Sequence, residues 1–474
     1  MENQAMRHMI RRAAAAGIAF CGCLAPVAHA DAIDDYLRAE MVARKIPGLA
    51  VAVVRAGRIE KLAAYGFADI ENGAAVSDTS IFAIASLDKE LTSAGVLKAE
   101  ERGKLKLDDP VSKYLALPFR GITIRQLLSH TSGLPDSLAE LDAGRRYTSY
   151  STEQLLALVR GLHPEARPGS GFVYSDDGMF LAQNVTERAS GEPWWTFMRR
   201  EVFEPAGMHT VVSMNPHTLI PGRVSPYTLD ANGQLLRDTR LGMDYGPLYT
   251  DLGMTIGDFA RWIMALDGKP PLTPQIVAAL STPSLLRDGT PAAEVFSWTR
   301  YGLGLGIDDI LGEHVVLHSG HSGVGFVKLT ERGLGVVVFT NLANSAGSDA
   351  LGLALGVAGM LDARVALRNL PAAPAADPGL EAKLRSDYEQ FAAGTPDPKR
   401  YSGAMRATVV TNAGDFSGRI HNLGVLQAFE FLREQRLDNE RSLWFRARYA
   451  SATFYVRVSI SSEGLITRLG WWHL

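Results

Sequence analysis

Ser86 and Lys89 stand three residues apart in Phe82-Ala-Ile-Ala-Ser86-Leu-Asp-Lys89, the spacing at which two side chains share one helix face. Leu87, Leu91, Ala94 and Leu97 repeat at helical spacing and Gly103 is a stop signal, so the pattern predicts a helix with Ser86 at its start. A hydroxyl there has backbone N–H groups close by that can hold a developing oxyanion. A buried lysine that loses its proton can activate such a hydroxyl. The same two residues also fit a plain N-cap followed by a solvated lysine in the first turn.

Tyr174-Ser175-Asp176 follows Pro168-Gly169 and precedes a helical run over residues 178–189. In an extended loop, residues two apart face the same side, so Tyr174 and Asp176 can point into one cleft. A turn in which Asp176 or Asp177 caps the next helix fits the residues equally well. His318-Ser319-Gly320 closes a strand signal that begins at His314. Gly320 would admit close backbone approach to a ligand and His318 would give the site a polar edge. His314, His318 and His321 invite a zinc site, but His314 and His318 on one strand lie about 13 Å apart at ~3.3 Å per residue, too far to share a metal. No metal or other cofactor is expected. The sequence also contains no Gly-x-Ser-x-Gly, His-Glu-x-x-His or Gly-x-x-x-x-Gly-Lys motif, and Gly302-Leu-Gly304-Leu-Gly306 reads as strand rather than as a phosphate loop.

The elements that must position these residues fall into two parts. A helix is expected over 31–46, stopped by Pro47-Gly48, then a hairpin of strands 49–55 and 60–65 joined at Ala56-Gly57. Helical patterning dominates from 86 to 280. Strand signals return at 301–307, 314–318 and 334–340, and a helix over 348–361 follows. Strands at both ends around a helical middle predict one sheet built from the two ends, with helices packed on it. The Pro/Ala stretch 371–378 has the composition of a linker. Beyond a helix at 380–391, Phe454, Val456, Val458 and Ile460 alternate with Tyr455, Arg457 and Ser459, as in a small antiparallel sheet or barrel. The expected organisation is thus a catalytic domain over 31–368, a linker over 369–379 and a β-rich domain over 380–474. A chain ending near Leu370 is expected still to fold and react.

Residues 1–30 carry Arg7, Arg11 and Arg12, an apolar stretch and Ala28-His29-Ala30, the pattern of a cleavable export signal. Both cysteines, Cys21 and Cys23, fall inside it, so disulfides, thiol catalysis and cysteine-bound metals drop out of the remainder. The whole chain has a net charge of −3. This mild acidity argues against nucleic acid as a partner. The apolar run 350–361 is shorter than the ~20 residues needed to span a bilayer, so the expectation is a periplasmic or secreted protein with no membrane span once the signal is removed.

Taken in order, Ser86-x-x-Lys89, Tyr174-x-Asp176 and His318-x-Gly320 resemble the Ser-x-x-Lys, Tyr-x-Asn and His-x-Gly elements of serine β-lactamase-like hydrolases. That family includes class C β-lactamases, type B D,D-carboxypeptidases, D-aminopeptidases and related esterases. Segments 103–115, 122–135 and 203–208 strengthen the resemblance, which runs over roughly residues 32–365; those around His130 and Met208 are read as packing signatures. The resemblance implies an α/β fold: an antiparallel sheet flanked by helices plus a helical region, here followed by a β-rich domain similar to the lipocalin-like appendages of some members. It implies Ser86 as the acylated nucleophile, with Lys89 and Tyr174 sharing the acid and base work. The N–H groups of Ser86 and His321 would form the oxyanion hole, and Asp176, His318 and Gly320 would line the substrate site. Asp176 departs from the family's Asn, and His318 stands where many β-lactamases have Lys, which points to the peptidase, aminopeptidase and esterase branches. The expected activity is an exported serine hydrolase working through an acyl-enzyme on a peptide, amide or ester substrate related to D-amino acids or the cell wall. The alternatives are a broad carboxylesterase and a non-catalytic penicillin- or peptidoglycan-binding protein.

Overall fold

The computed structural model describes residues 32–140, 150–215, 217–230, 232–239, 252–293, 300–374, 377–403, 423–437 and 440–474, with a few positions between 403 and 423. The expected export signal, 1–30, lies outside the described residues.

The chain opens with helix α1 (Ala32–Arg44), followed by strands β1 (Gly48–Arg55), β2 (Arg58–Asp69) and the short β3 (Ala74–Ala75). The helical part contributes α2 (Asp88–Glu101), α3 (Asp176–Ser190) and α4 (Ile256–Ala265). Strands then return as β4 (Arg300–Tyr301), β5 (Gly306–Ile310), β6 (Glu313–Gly320), β7 (Val324–Leu329) and β8 (Leu334–Thr340), closed by α5 (Ala350–Leu361). They form one eight-stranded sheet in the order β3-β2-β1-β8-β7-β6-β5-β4, antiparallel throughout. The two ends of this region therefore meet where β1 pairs with β8, Val51 opposite Val338, as expected from strand signals at both ends.

Both faces of β1 are buried, and alternate residues divide between two cores. Ala50, Ala52 and Val54 belong to the core that includes α2 and α4, whereas Leu49, Val51 and Val53 belong to the core that includes α1 and α5. The expected strand over 301–307 is instead two strands. Its Gly-Leu alternation reads with period two, but Gly304 has φ +75° and turns the chain, so that Gly306 pairs back with Tyr301.

The C-terminal part has helix α6 (Pro378–Ala392) and strands β9 (Ala428–Leu437), β10 (Glu440–Arg448), β11 (Thr453–Ile460) and β12 (Ile466–His473), an antiparallel meander in that order. Val456, Val458 and Ile460 cover Leu384, Tyr388 and Phe391 of α6. The opposite face is buried as well: Tyr455, Trp444 and Trp472 join the core beneath α5 and β6, and Arg457 meets Asp308 of β5. The connecting segment is tied to this sheet too, with Ala373 N–H donating to Phe431 O at 2.9 Å. No helix among the described residues is long and apolar enough to cross a membrane.

Candidate functional site

Ser86 lies in a 3-10 turn, Ala85–Leu87, that runs directly into α2. Ala85 holds φ 45°, a conformation that a residue with a Cβ adopts at a cost. Strand β6 braces the turn from behind. Gly320 comes so close that a Cβ there would lie 2.8 Å from the Ile84 carbonyl oxygen, and Ser322 donates to the Ala83 carbonyl at 2.8 Å. His321, between them, is exposed. Helix α2 is buried from Lys89 to Ala99, because other helices, α3 foremost, pack around it. Lys89 is therefore not a solvated first-turn residue.

Lys89 Nζ is 3.1 Å from Ser86 Oγ and 2.6 Å from Asp176 Oδ1. It also sits 5.0 Å from the centre of the Tyr174 ring, and Ser86 and Lys89 both act on the Tyr174 hydroxyl, favouring its ionised form. The extended geometry expected at 174–176 thus brings both side chains to the same lysine. Ser175, pointing the other way, caps α3 by accepting from Gly178 N–H at 3.2 Å, so the cap is neither of the two aspartates.

Burial opposes the charge on Lys89, but the Asp176 carboxylate, with Tyr174 and Asp88, outweighs it and holds the amine well above the ordinary lysine value. Burial likewise raises Tyr174, more than the Lys89 ammonium lowers it. Both groups that could accept the Ser86 proton therefore rest protonated. Asp136, whose Oδ1 accepts from Asp176 N–H at 2.8 Å, is pushed up to about 7 by burial and by Asp176.

His318 is fully buried. Its Nδ1 faces the Ser319 carbonyl oxygen at 2.9 Å and its Nε2 the Tyr301 hydroxyl at 3.1 Å. Burial and Lys89 press its pKa down to about 3, so it is a neutral imidazole. His130, read from the sequence as a packing residue, stacks on Tyr174 with ring centres 4.3 Å apart. Its Nδ1 accepts from Ser175 N–H at 3.1 Å, which fixes the loop that carries Tyr174 and Asp176. Asp136 and Tyr301 were not singled out by any motif; they belong to the site only because the chain folds back on itself.

This arrangement has a hydroxyl at a strained turn, a buried amine and a phenol within reach of it, and a glycine-backed strand alongside. Such a constellation can transfer an acyl group to Ser86, with the proton passing among Lys89, Tyr174 and Asp176.

Comparison with known proteins bears on this geometry. The family model described as Beta-lactamase matches residues 33–358. Penicillin-binding protein 4* of Bacillus subtilis (strain 168) is 34% identical over 168 residues, which cover 34% of this chain and 37% of that protein. Protein flp of Staphylococcus aureus (strain N315) is 30% identical over 168 residues, covering 33% and 34%. The chain thus spans little more than a third of the length of these curated relatives. Among solved structures, the octameric penicillin-binding protein homologue from Pyrococcus abyssi superposes with a TM-score of 0.61 at 20% identity, over 93% of this chain and 95% of that one. The D-amino acid amidase from Ochrobactrum anthropi SV3 superposes with 0.60 at 22% identity, over 71% and 99%. With the family match running through every element that carries Ser86, Lys89, Tyr174, Asp176 and His318, the chain belongs to the Beta-lactamase family.

Proposed function

We propose that the protein is an exported serine hydrolase that forms an acyl-enzyme on Ser86, acting on a peptide, amide or ester related to D-amino acids or the cell wall. The observation that carries this reading is Lys89, buried and 3.1 Å from Ser86 Oγ. In this scheme Ser86 Oγ attacks the substrate carbonyl carbon while its proton passes to the Lys89–Tyr174 pair, and that proton later reaches the leaving amine or alkoxide. The N–H groups of Ser86 and His321 hold the tetrahedral oxyanion. Water then attacks the ester on Ser86 and releases the acid. Export rests on the basic and apolar pattern of residues 1–30. The D-amino acid and cell-wall substrate class rests on the kinship with penicillin-binding proteins and on the likeness to a D-amino acid amidase.

A second reading, covalent capture of an acylating ligand with little turnover, is favoured by the Lys89–Asp176 pair, which ties up the amine needed to activate water. Incubation with a fluorophosphonate and with a penicillin, followed by intact mass and by turnover of D-alanyl peptides and short acyl esters, separates the two. Labelling with turnover supports the hydrolase, labelling without turnover supports the binding protein, and no labelling rejects both.

A further inference from the structure

The C-terminal sheet meets the catalytic sheet at the edge nearest the candidate site. Arg457 projects from β11 against the stacked pair Trp444 and Trp472, with its guanidinium carbon 5.0 and 5.2 Å from the two ring centres. Its terminal nitrogens bond both oxygens of Asp308 at 2.7 Å each. The side chains are 4% and 0% exposed, so the contact is dry and two-pronged, the geometry that fixes orientation best. Beside it, Gln435 Nε2 donates to the Asp309 carbonyl at 3.0 Å. Asp308 and Asp309 belong to β5, which with β4 forms the outermost hairpin of the sheet.

That hairpin touches the candidate site at two places. Tyr301 of β4 reaches His318 through its hydroxyl, and its ring lies 5.1 Å from His130, the residue stacked on Tyr174. The turn of the hairpin lies against α2. Gly304 N–H donates to the Leu128 carbonyl at 3.0 Å, and a Cβ on Gly304 would be 2.5 Å from the Lys89 carbonyl oxygen. A hairpin gripped by the C-terminal domain at its base therefore presses on His318, the Tyr174 stack and the backbone of Lys89.

We propose that Arg457 is a positioning residue for the acyl transfer: through Asp308 the C-terminal domain sets the β4–β5 hairpin, and the hairpin sets the reacting groups. The proposal rests on the serine-hydrolase reading above. Displacing reacting groups by as little as ~1 Å is worth roughly 100-fold in rate, so the coupling should appear in the chemical step rather than in binding.

The test is the rate of Ser86 acylation by an activated aryl ester, read from the phenol released as the acyl group is transferred and separated into a limiting rate constant and a half-saturation concentration, on the full chain below its unfolding temperature. Arg457→Gln is expected to lower the limiting rate constant about 10- to 100-fold with half-saturation unchanged. Adding Asp308→Asn, which removes the stranded charge and leaves a neutral hydrogen-bonding pair, should restore most of the rate. Tyr301→Phe should also slow acylation, and Arg457→Gln/Tyr301→Phe should be no slower than the slower single variant, because both act through one hairpin. A folded Arg457→Gln that acylates at the wild-type rate overturns the proposal, as do losses that multiply in the double variant. If Arg457→Gln does not fold, Gln435→Ala replaces it, with roughly a threefold slowing expected and a wild-type rate overturning the proposal. Wild type that is not acylated at all rejects the serine-hydrolase reading itself, and the proposal falls with it.

Discussion

Two buried ion pairs, one at the candidate site and one at the domain interface, use the same opposite charges to different ends. Lys89 meets Asp176 through a single contact of 2.6 Å, and the carboxylate keeps 20% of its side chain exposed. Arg457 meets Asp308 through two contacts, with both side chains almost completely enclosed. A lysine can surrender its proton when its surroundings change, whereas an arginine in a protein cannot. The first pair can therefore take part in proton transfer, and the second can only hold position. What the contrast teaches is that buried charge here has to be judged by whether the cation can become neutral.

The largest effect should come from removing the titratable cation. Lys89→Ala is expected to slow acylation of Ser86 about 100- to 10,000-fold while melting at or near the wild-type temperature, and a loss of under tenfold would move the base elsewhere. Breaking the fixed pair should act on stability instead. Arg457→Leu leaves Asp308 charged and buried and should cost about 3–5 kcal/mol in denaturant unfolding. Replacing both Asp308 and Arg457 by apolar residues should recover most of that, and if it does not, the interface needs the pair for more than charge balance.

Asp176→Asn sharpens the comparison by converting the first pair into a neutral contact. The carboxylate raises Lys89, so its removal lowers that pKa, increases the free amine at a given pH and moves the alkaline rise of the acylation rate to lower pH. An amide can also donate to an acyl carbonyl, a hydrogen bond of ~1–3 kcal/mol, or roughly 5- to 150-fold in penicillin acylation. If Asp176 instead binds a cationic substrate amine, the variant will be faster on penicillins and slower on D-aminoacyl substrates. An unchanged rate and pH profile would place Asp176 outside the chemistry.

The smallest effect concerns Asp136. Its folded pKa of about 7 stands above the ordinary carboxylate value of 3.8, so the folded protein holds that proton more tightly than the unfolded chain. The stability this gives is fully present below about pH 4 and is lost as pH rises towards 7. Asp136→Asn should match wild type near pH 4 and be more stable by about 1–3 kcal/mol at pH 8; a stability difference that does not vary with pH would contradict this account of the carboxyl.

Much of the site was legible because it is local. Ser86 and Lys89 sit on one turn, and Tyr174 and Asp176 share one side of an extended step, so spacing allowed these directions, although a plain N-cap with a solvated lysine and a capping Asp176 fitted the residues as well. His130, Asp136 and Tyr301 were not legible in this way, since each reaches the site only through tertiary folding and none has a sequence partner at a diagnostic distance. The sheet assembled from both ends could be read from its apolar runs. The break at Gly304 could not, because alternation of glycine with leucine satisfies the strand period until a positive φ is needed. The Pro/Ala composition suggested a boundary and said nothing of the interface behind it. Arg457 lies on the face of β11 opposite the apolar stripe, and nothing in that alternation says that two tryptophans and an aspartate 149 residues away enclose it.

The chemistry above depends on Ser86 being the nucleophile. Intact-mass measurement of wild type and Ser86→Ala after exposure to a fluorophosphonate addresses it directly. One adduct per chain on wild type, mapped to the peptide containing Ser86, and none on Ser86→Ala is the predicted result; equal labelling of the two proteins, or an adduct mapped to another residue, would contradict it.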